Sequence, residues 1–355
     1  MEHGKRGPRP ARPVLVRVPV EPVEAAVEAD AVDAAAWLGG LAVRGALYGV
    51  VAQGAGDGAR WRVVVPVTSN YPQEARESLN SQLWYRAKDE ARDRAERRAL
   101  LAAVARLETE RVDELTVSGT RYRVARAEEY AGTGPGGLEQ PRPTDPGPDA
   151  TEWDGAEPKI DEDLVLDLDA PVSPTQAVEQ LALRDMYYLD DDSPKQARDD
   201  ARRALETHPD VLLLPAAFTV VEEAEDGWKP ISGPHITAHA ARRSLEFVLA
   251  WAWPRLHGLI SFDAQRETDA RSVVEAGGDE AAELAPYAAA ANRLRAGPVN
   301  RVELDGTWYQ IARTRRLVRW GPDGPEGPRP SDRDGQEPLQ LHPPMDEDGR
   351  ILPED

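Results

Sequence analysis

The chain is 355 residues long, carries 43 Lys and Arg against 63 Asp and Glu for a net charge of −20, and contains no cysteine. That charge opposes a phosphate backbone, which removes nucleic acid from the expected partners, and the missing thiols exclude disulfides, cysteine nucleophiles and cysteine-ligated zinc. A hydrophobic fraction of 41% with 30% charged residues is that of a folded protein, while 28 glycines and 31 prolines predict long irregular connections.

In chain order, residues 1–20 form a basic, proline-rich tail with no apolar signal core, expected to be disordered. Residues 21–148 read as a first module. An alanine-rich helix over 24–38 precedes two apolar strands, 46–51 and 60–67, divided by the glycine-rich turn 54–58. From Pro72 onward Leu79, Leu83, Ala87, Ala91 and Ala95, then Leu100, Val104 and Leu107, recur at helical spacing. A hairpin follows around Ser118-Gly119, and then a proline-rich exit. Residues 149–175 read as an acidic, proline-rich linker, 176–336 as a second module with an insertion near 254–283, and 337–355 as a flexible tail. In the second module Pro286 is tolerable only in a first turn, which places a helix start near Glu283. The longest apolar stretches, such as 247–253, are too short to span a bilayer, so a cytoplasmic location away from membranes is expected.

The second module repeats the first. Residues 118–145 and 305–332 align without a gap at an offset of 187, with Gly119/Gly306, Thr120/Thr307, Tyr122/Tyr309, Arg126/Arg313, Pro135/Pro322, Glu139/Glu326, Arg142/Arg329 and Asp145/Asp332 identical. Upstream, the segment from Ala75 meets that from Ala241 at 166, while Trp61/Trp228 and Asp33/Asp200 agree at 167. The expected fold is α+β, an internal duplication giving two pseudo-symmetric modules, each an antiparallel sheet with helices on one face.

By Tyr71-Pro72-Gln73-Glu74-Ala75-Arg76, Arg111-Val112-Asp113-Glu114-Leu115, Gly119-Thr120-Arg121-Tyr122-Arg123-Val124, Thr207-His208-Pro209 with Leu213-Leu214-Pro215, and the run from Gly321 through Pro328-Arg329-Pro330-Ser331-Asp332, the chain resembles an uncharacterised actinobacterial, streptomycete-type family of unknown function sometimes labelled PE-PGRS-like. The resemblance spans both modules and implies no activity. Gly297-Pro298-Val299-Asn300 departs from the acidic stretch such repeats keep before the hairpin.

Arg126 and Arg313 share the strand parity of the apolar Tyr, Val and Ile residues, so each should point to the core edge, where a guanidinium needs a carboxylate. Asp145 and Asp332 can supply it, as a structural clasp tying each proline-rich exit to its own hairpin. Trp308 lies on the opposite parity and Trp320 opens a proline-rich loop. With Arg142 and Arg329 they are the candidate binding residues, since aromatic rings beside exposed prolines build peptide grooves. His235 and His239, four apart, would share a helix face as metal-ligand candidates with His257 as a conceivable third, but no glutamate follows the first as in a zinc protease and no metal is expected. Asp161-Glu162-Asp163, Asp167, Asp169 and Asp190-Asp191-Asp192 lack EF-hand order and read as solvated surface. A sign change is also conspicuous: Glu128 and Glu129 correspond to Arg315 and Arg316, so a twofold near these strands would set opposite charges face to face, unless the acidic segment 149–210 takes the arginines.

No P-loop, dinucleotide fingerprint or nucleophile elbow is present, so no catalytic residue is assigned and no cofactor is expected. The residues weigh against an enzyme without deciding the question. The reading they favour is a protein-interaction or adaptor protein that docks a protein partner of basic character through the inter-module cleft and the Gly/Pro loops. A small-molecule sensor or unrecognised enzyme with a site in that cleft is the alternative, and an acidic, immunity-like inhibitor the third.

Overall fold

The computed structural model describes residues 11–147, 153, 155, 158–186, 193–224 and 227–352. The first half contains α1 (Pro22–Trp37), β1 (Gly40–Gln53), β2 (Trp61–Ser69), α2 (Pro72–Tyr85), α3 (Arg94–Thr109), β3 (Glu114–Val117), β4 (Thr120–Gly134) and β5 (Gly137–Leu138). A connecting stretch supplies β6 (Val165–Leu166) and α4 (Pro174–Leu183). The second half contains α5 (Lys195–Thr207), β7 (Asp210–Leu213), β8 (Ala217–Ala224), β9 (Gly227–Pro230), α6 (Ala238–Phe247), α7 (Trp253–Leu256), α8 (Ala270–Ala276), α9 (Ala281–Ala296), β10 (Arg301–Leu304), β11 (Thr307–Gly321) and β12 (Gly324–Pro325).

The mixture of helices and antiparallel strands is α+β. The strands form one sheet rather than one for each half, in the order β6-β2-β1-β4-β11-β8-β9. Its join is the antiparallel pair β4/β11, in which Ala127 faces Val318, Glu129 faces Arg316 and Ala131 faces Thr314. Residues 129 and 316 are themselves 187 apart, so exchanging equivalent positions reproduces the register. A continuous sheet is the favourable outcome because β4 and β11 each gain a partner along an edge that would otherwise stay unpaired.

The two hairpins match in detail. Glu114 pairs Arg123 through Val117 with Thr120, and Arg301 pairs Gln310 through Leu304 with Thr307. Both turns place two residues at positive φ, Ser118 (49°) with Gly119 (83°) and Asp305 (50°) with Gly306 (82°), the type I′ geometry that suits strand twist. Contacts also locate the weaker correspondences. Tyr48 faces Arg126 and Phe218 faces Arg313, so β1 and β8 correspond at 170, whereas Arg62 opposite Ala52 and Lys229 opposite Glu222 keep Trp61 with Trp228 at 167. Asp30 accepts from the Thr144 amide and Asp200 from the Ser331 amide, which aligns α1 with α5 at 170 and replaces the expected match of Asp33 with Asp200.

Helices cover one face. Leu79, Leu83, Leu100, Val104 and Leu107 of α2 and α3 pack on Tyr48, Val50, Tyr122 and Val124. Leu245, Leu249, Leu284, Ala291 and Leu294 pack on Phe218, Val220, Tyr309 and Ile311. Burial of each large aliphatic side chain contributes about 1.5–3 kcal/mol. The other face holds Leu47, Val51, Trp61, Ala127, Leu166, Leu214, Val318 and Trp320. The extra length of the second half is α7, α8 and their loops, pinned by the fully buried Arg255 donating to the Trp251, Gln265 and Thr268 carbonyls. Helix α9 begins at Ala281, two residues before the expected start, and carries Pro286 inside it.

Segments expected to be tails or linker are bound to the fold. Residue 12 donates its amide to Asp210 and Val16 bridges Val172. Residues 165–166 add a strand to β2. At the other end His342 stacks on Trp84 at 4.6 Å, the Trp84 indole donates to the Pro343 carbonyl, and Glu347 takes Arg98 at 2.6 Å. Composition reads such stretches as solvated because each buries few apolar groups, but backbone pairing and single anchors suffice to hold them.

Candidate functional site

At the centre of the helix-bearing face, on either side of the β4/β11 join, lie two clusters of buried charge. In the first, Arg126 donates through Nε to Asp332 at 2.9 Å and through Nη1 to Glu128 at 2.5 Å. Arg329 donates to Glu326 at 2.7 Å, and its amide to Asp332 at 2.7 Å. In the second, Arg313 donates through Nε to Asp145 at 2.9 Å, Arg142 donates to Glu139 at 2.6 Å, and the Arg142 amide donates to Asp145 at 2.7 Å.

Both arginines point inward and meet carboxylates, but the clasps are crossed. Arg126 of the first half takes Asp332 of the second, and Arg313 takes Asp145 of the first, so neither exit is tied to its own hairpin as expected. The backbone shows why: the Arg126 amide donates to the Glu326 carbonyl and the Arg313 amide to the Glu139 carbonyl, each at 2.8–2.9 Å. Each proline-rich exit leaves β4 or β11 across the join and runs along the long strand of the opposite half.

The clusters differ at Glu128, whose counterpart is Arg315, and at the buried Arg319, whose counterpart is Gly132, while Tyr48 faces Arg126 where Phe218 faces Arg313. Glu128 lies in the first between Arg126 and Arg329, whose Nη1 is 3.5 Å away. Its counterpart Arg315 instead reaches Glu179 of α4 at 2.7 Å, and Glu179 also accepts from the Tyr130 hydroxyl at 2.7 Å. The consequence is electrostatic. Burial, the largest influence, works against charge on Arg126, yet Glu128, Asp332 and Glu326 outweigh it and its pKa rises. On Arg313 burial and then the neighbouring Arg315 lower the pKa, with Arg142 adding and Asp145 and Glu139 opposing. Since guanidinium stays protonated in proteins, the depression records the burial of Arg313 first and the like charge of Arg315 second.

A cavity opens there. It has a volume of about 360 Å³, with Arg142, Arg313, Arg315, Glu139 and Glu179 on its polar wall and Leu38, Val178 and Leu183 among its apolar residues. A second, of about 390 Å³, adjoins it and shares Arg142, Arg313, Arg315 and Thr175. Helices α1 and α4 form the roof, held together by Glu28, which accepts from the Thr175 amide at 2.7 Å and hydroxyl at 2.8 Å. Burial raises the Glu28 pKa most, but the bonds from Ser173 and Thr175 prevail and leave it lowered. Gly132 and Gly134 let the end of α1 come close, since a Cβ there would sit 2.5 Å from Leu38 and 2.8 Å from Trp37. Among the described residues no further hydrogen bond engages Nη2 of Arg313 or either Nη of Arg142.

The remaining candidates fall elsewhere. Trp320 is 5% exposed and packs with Trp61, because β11 runs on to Gly321 and turns the ring inward; it is not a loop aromatic. Trp308 is half-buried under the Arg301 guanidinium, 4.3 Å from its ring centroid. Arg329 is spent within its cluster, whereas Arg142 lines the cavity. His235 precedes α6 in an extended bridge with Phe218, so it shares no helix face with His239, whose ring contacts the Trp153 carbonyl. His257 bonds the Tyr287 hydroxyl at 2.8 Å. Among the described residues no cluster of three or more His, Asp or Glu could hold a metal ion.

Glu129 and Arg316 do face each other across the join, but each is neutralised by a third party. Glu129 takes Arg44 at 2.8 Å and the Thr219 hydroxyl at 3.0 Å, and Arg316 takes Asp161 at 2.8 Å. With Glu179 on Arg315, the acidic segment captures both arginines. Asp161 is therefore buried, contrary to its reading as solvated surface. Asp190-Asp191-Asp192 lie outside the described residues. Reasoning from sequence missed Tyr130, Glu179 and the place of Arg315 on the cavity wall; the Glu128/Arg315 sign change was the available signal.

Fold and site together define an α+β protein with one antiparallel sheet and a cavity lined by arginines and glutamates beneath two helices. The chain belongs to the family of unknown function DUF5954, whose model matches residues 21–335. No curated protein and no solved structure matches it. Among the described residues no helix is long and apolar enough to cross a membrane.

Proposed function

We propose that this chain is a cytoplasmic small-molecule-binding protein, a sensor rather than a peptide-docking adaptor, that takes a small organic anion beneath α1 and α4. The observation that carries the reading is the cavity in which Arg142, Arg313 and Arg315 stand with Glu139 and Glu179 against an apolar wall that includes Leu38, Val178 and Leu183. Its volume of about 360 Å³ falls at the lower end of ligand pockets, which run to roughly 300–1,000 Å³ and combine apolar lining with few convergent polar groups. Arginine adds permanently charged donors in a planar fork. The adaptor reading loses its support because Trp320 is buried and the proline-rich exits are tied down by crossed clasps. The inhibitor reading loses Asp161 and Glu179 to internal arginines.

We further infer that the two halves descend from one duplicated unit. Equal hairpin registers, a β4/β11 join that is unchanged when positions 187 apart are exchanged, and reciprocal clasps all support common descent. Duplication then accounts for a site in one half only: where one cluster has the carboxylate of Glu128, the other has Arg315.

Calorimetric titration with hexanoate tests the binding function. One site for each chain is expected, with Arg142→Gln weakening binding by about tenfold or more, the loss of a charge-assisted hydrogen bond. No heat at millimolar ligand, or equal affinity in Arg142→Gln, refutes it.

A further inference from the structure

The closed cluster shows what the open one lacks. Around Arg126 and Arg329 stand three carboxylates, Asp332, Glu326 and Glu128; around Arg313 and Arg142 stand the counterparts of the first two, Asp145 and Glu139. The Glu128 carboxylate accepts from Nη1 of Arg126 at 2.5 Å and lies 3.5 Å from Nη1 of Arg329. Across the join the equivalent backbone position carries Arg315, whose guanidinium swings away to Glu179. On this side the cavity is lined by Arg142, Arg313 and Arg315 with Glu139 and Glu179. Nη1 of Arg313 is left with only a 3.5 Å approach to Glu139.

We propose that the cavity's ligand is a small monocarboxylate with a short aliphatic chain, and that its carboxylate occupies between Arg313 and Arg142 the place that Glu128 occupies between Arg126 and Arg329. The inference rests on the binding function above and deepens it. Glu128 is the one carboxylate of the closed cluster without a counterpart on the arginines across the join, where Glu139 is taken by Arg142 and Glu179 by Arg315, so a single carboxylate supplies the acceptor that Nη1 of Arg313 lacks. Inorganic phosphate, largely dianionic at neutral pH, would stand against Asp145 and Glu139. Leu38, Val178 and Leu183 give the aliphatic chain an apolar wall, and Glu28, bridging α1 to α4, holds the roof over it.

The test supplies the carboxylate from within. In Arg315→Glu the new side chain stands where Glu128 stands in the other half and closes the cluster. Hexanoate affinity measured by calorimetry should fall by about 30-fold or more, and the melting midpoint without ligand should rise above that of Arg315→Gln, which gives up the same bond to Glu179. Arg315→Gln, which removes a charge without adding a carboxylate, should lose only a fewfold in affinity. The converse variant is Glu128→Ala, which leaves Arg126 and Arg329 facing a void; acetate should restore its melting midpoint while moving that of the wild type less. Phosphate should compete with hexanoate at least tenfold less well than acetate does. The proposal is overturned if Arg315→Glu binds hexanoate like wild type, if it melts no higher than Arg315→Gln, if acetate does not rescue Glu128→Ala, or if phosphate competes better than acetate. Those failures leave the binding function standing when wild type binds hexanoate and Arg142→Gln does not; absence of any hexanoate binding sinks both.

Discussion

Asp145→Ala and Asp332→Ala probe the crossed clasps, and the structure assigns them unequal costs. Arg313 is 6% exposed and would keep only the 3.5 Å approach of Glu139 after Asp145 is lost. Arg126, 7% exposed, would keep Glu128 at 2.5 Å after Asp332 is lost. Removing one partner of a buried pair costs about 3–5 kcal/mol. Each aspartate also accepts a backbone amide at 2.7 Å, from Arg142 or from Arg329, a bond worth about 1 kcal/mol. The expected losses are about 5 kcal/mol for Asp145→Ala and about 3 for Asp332→Ala. Urea unfolding followed by tryptophan fluorescence measures both. A double-mutant cycle then separates crossed from uncrossed pairing. Arg126→Met with Asp332→Ala should couple by about 2 kcal/mol, and Arg126→Met with Asp145→Ala should be additive within about 0.5 kcal/mol. Coupling of Arg126 to Asp145, or equal losses from the two aspartates, would refute the crossed assignment.

Two other perturbations follow from the same contacts. Gly49→Ala should destabilise by about 3 kcal/mol in the same urea assay, because its Cβ would lie 2.6 Å from the Val65 carbonyl and 2.7 Å from that of Pro66, backbone atoms that cannot turn aside. His208 has its pKa lowered, by burial first and then by Arg123, Arg329 and Arg319 against Glu326. A depressed folded pKa contributes stability that is complete above the unfolded value of about 6.5 and is lost as pH falls through the folded one, so urea midpoints should drop from pH 7.5 to 5.5 and His208→Gln should flatten part of that slope.

The hairpins, their turns and the inward parity of Arg126 and Arg313 were legible in the sequence, because alternation and a Gly at the second turn position leave one register open. The crossing was not. Asp145 and Asp332 are identical residues in identical surroundings, so sequence offers no ground for choosing between a clasp within one half and a clasp between halves; only the course of the exits over the join decides it. Trp320 was misplaced for a related reason, since strand β11 continues into what looks like loop composition. Asp161 read as surface because it lies in an acidic stretch and Glu179 drew no reading, since composition cannot reveal that two arginines on β11 would otherwise be buried without partners. The open cluster was visible only as the replacement of Glu128 by Arg315, a difference that acquires meaning once Glu128 is seen between two guanidinium groups.

The most direct measurement is an anomalous difference map from crystals grown with 6-bromohexanoate. The account predicts one bromine peak for each chain among Leu38, Val178 and Leu183, with the carboxylate at Arg313 and Arg142. A peak outside this cavity, or an empty cavity in crystals whose chain binds the ligand in solution, would contradict it.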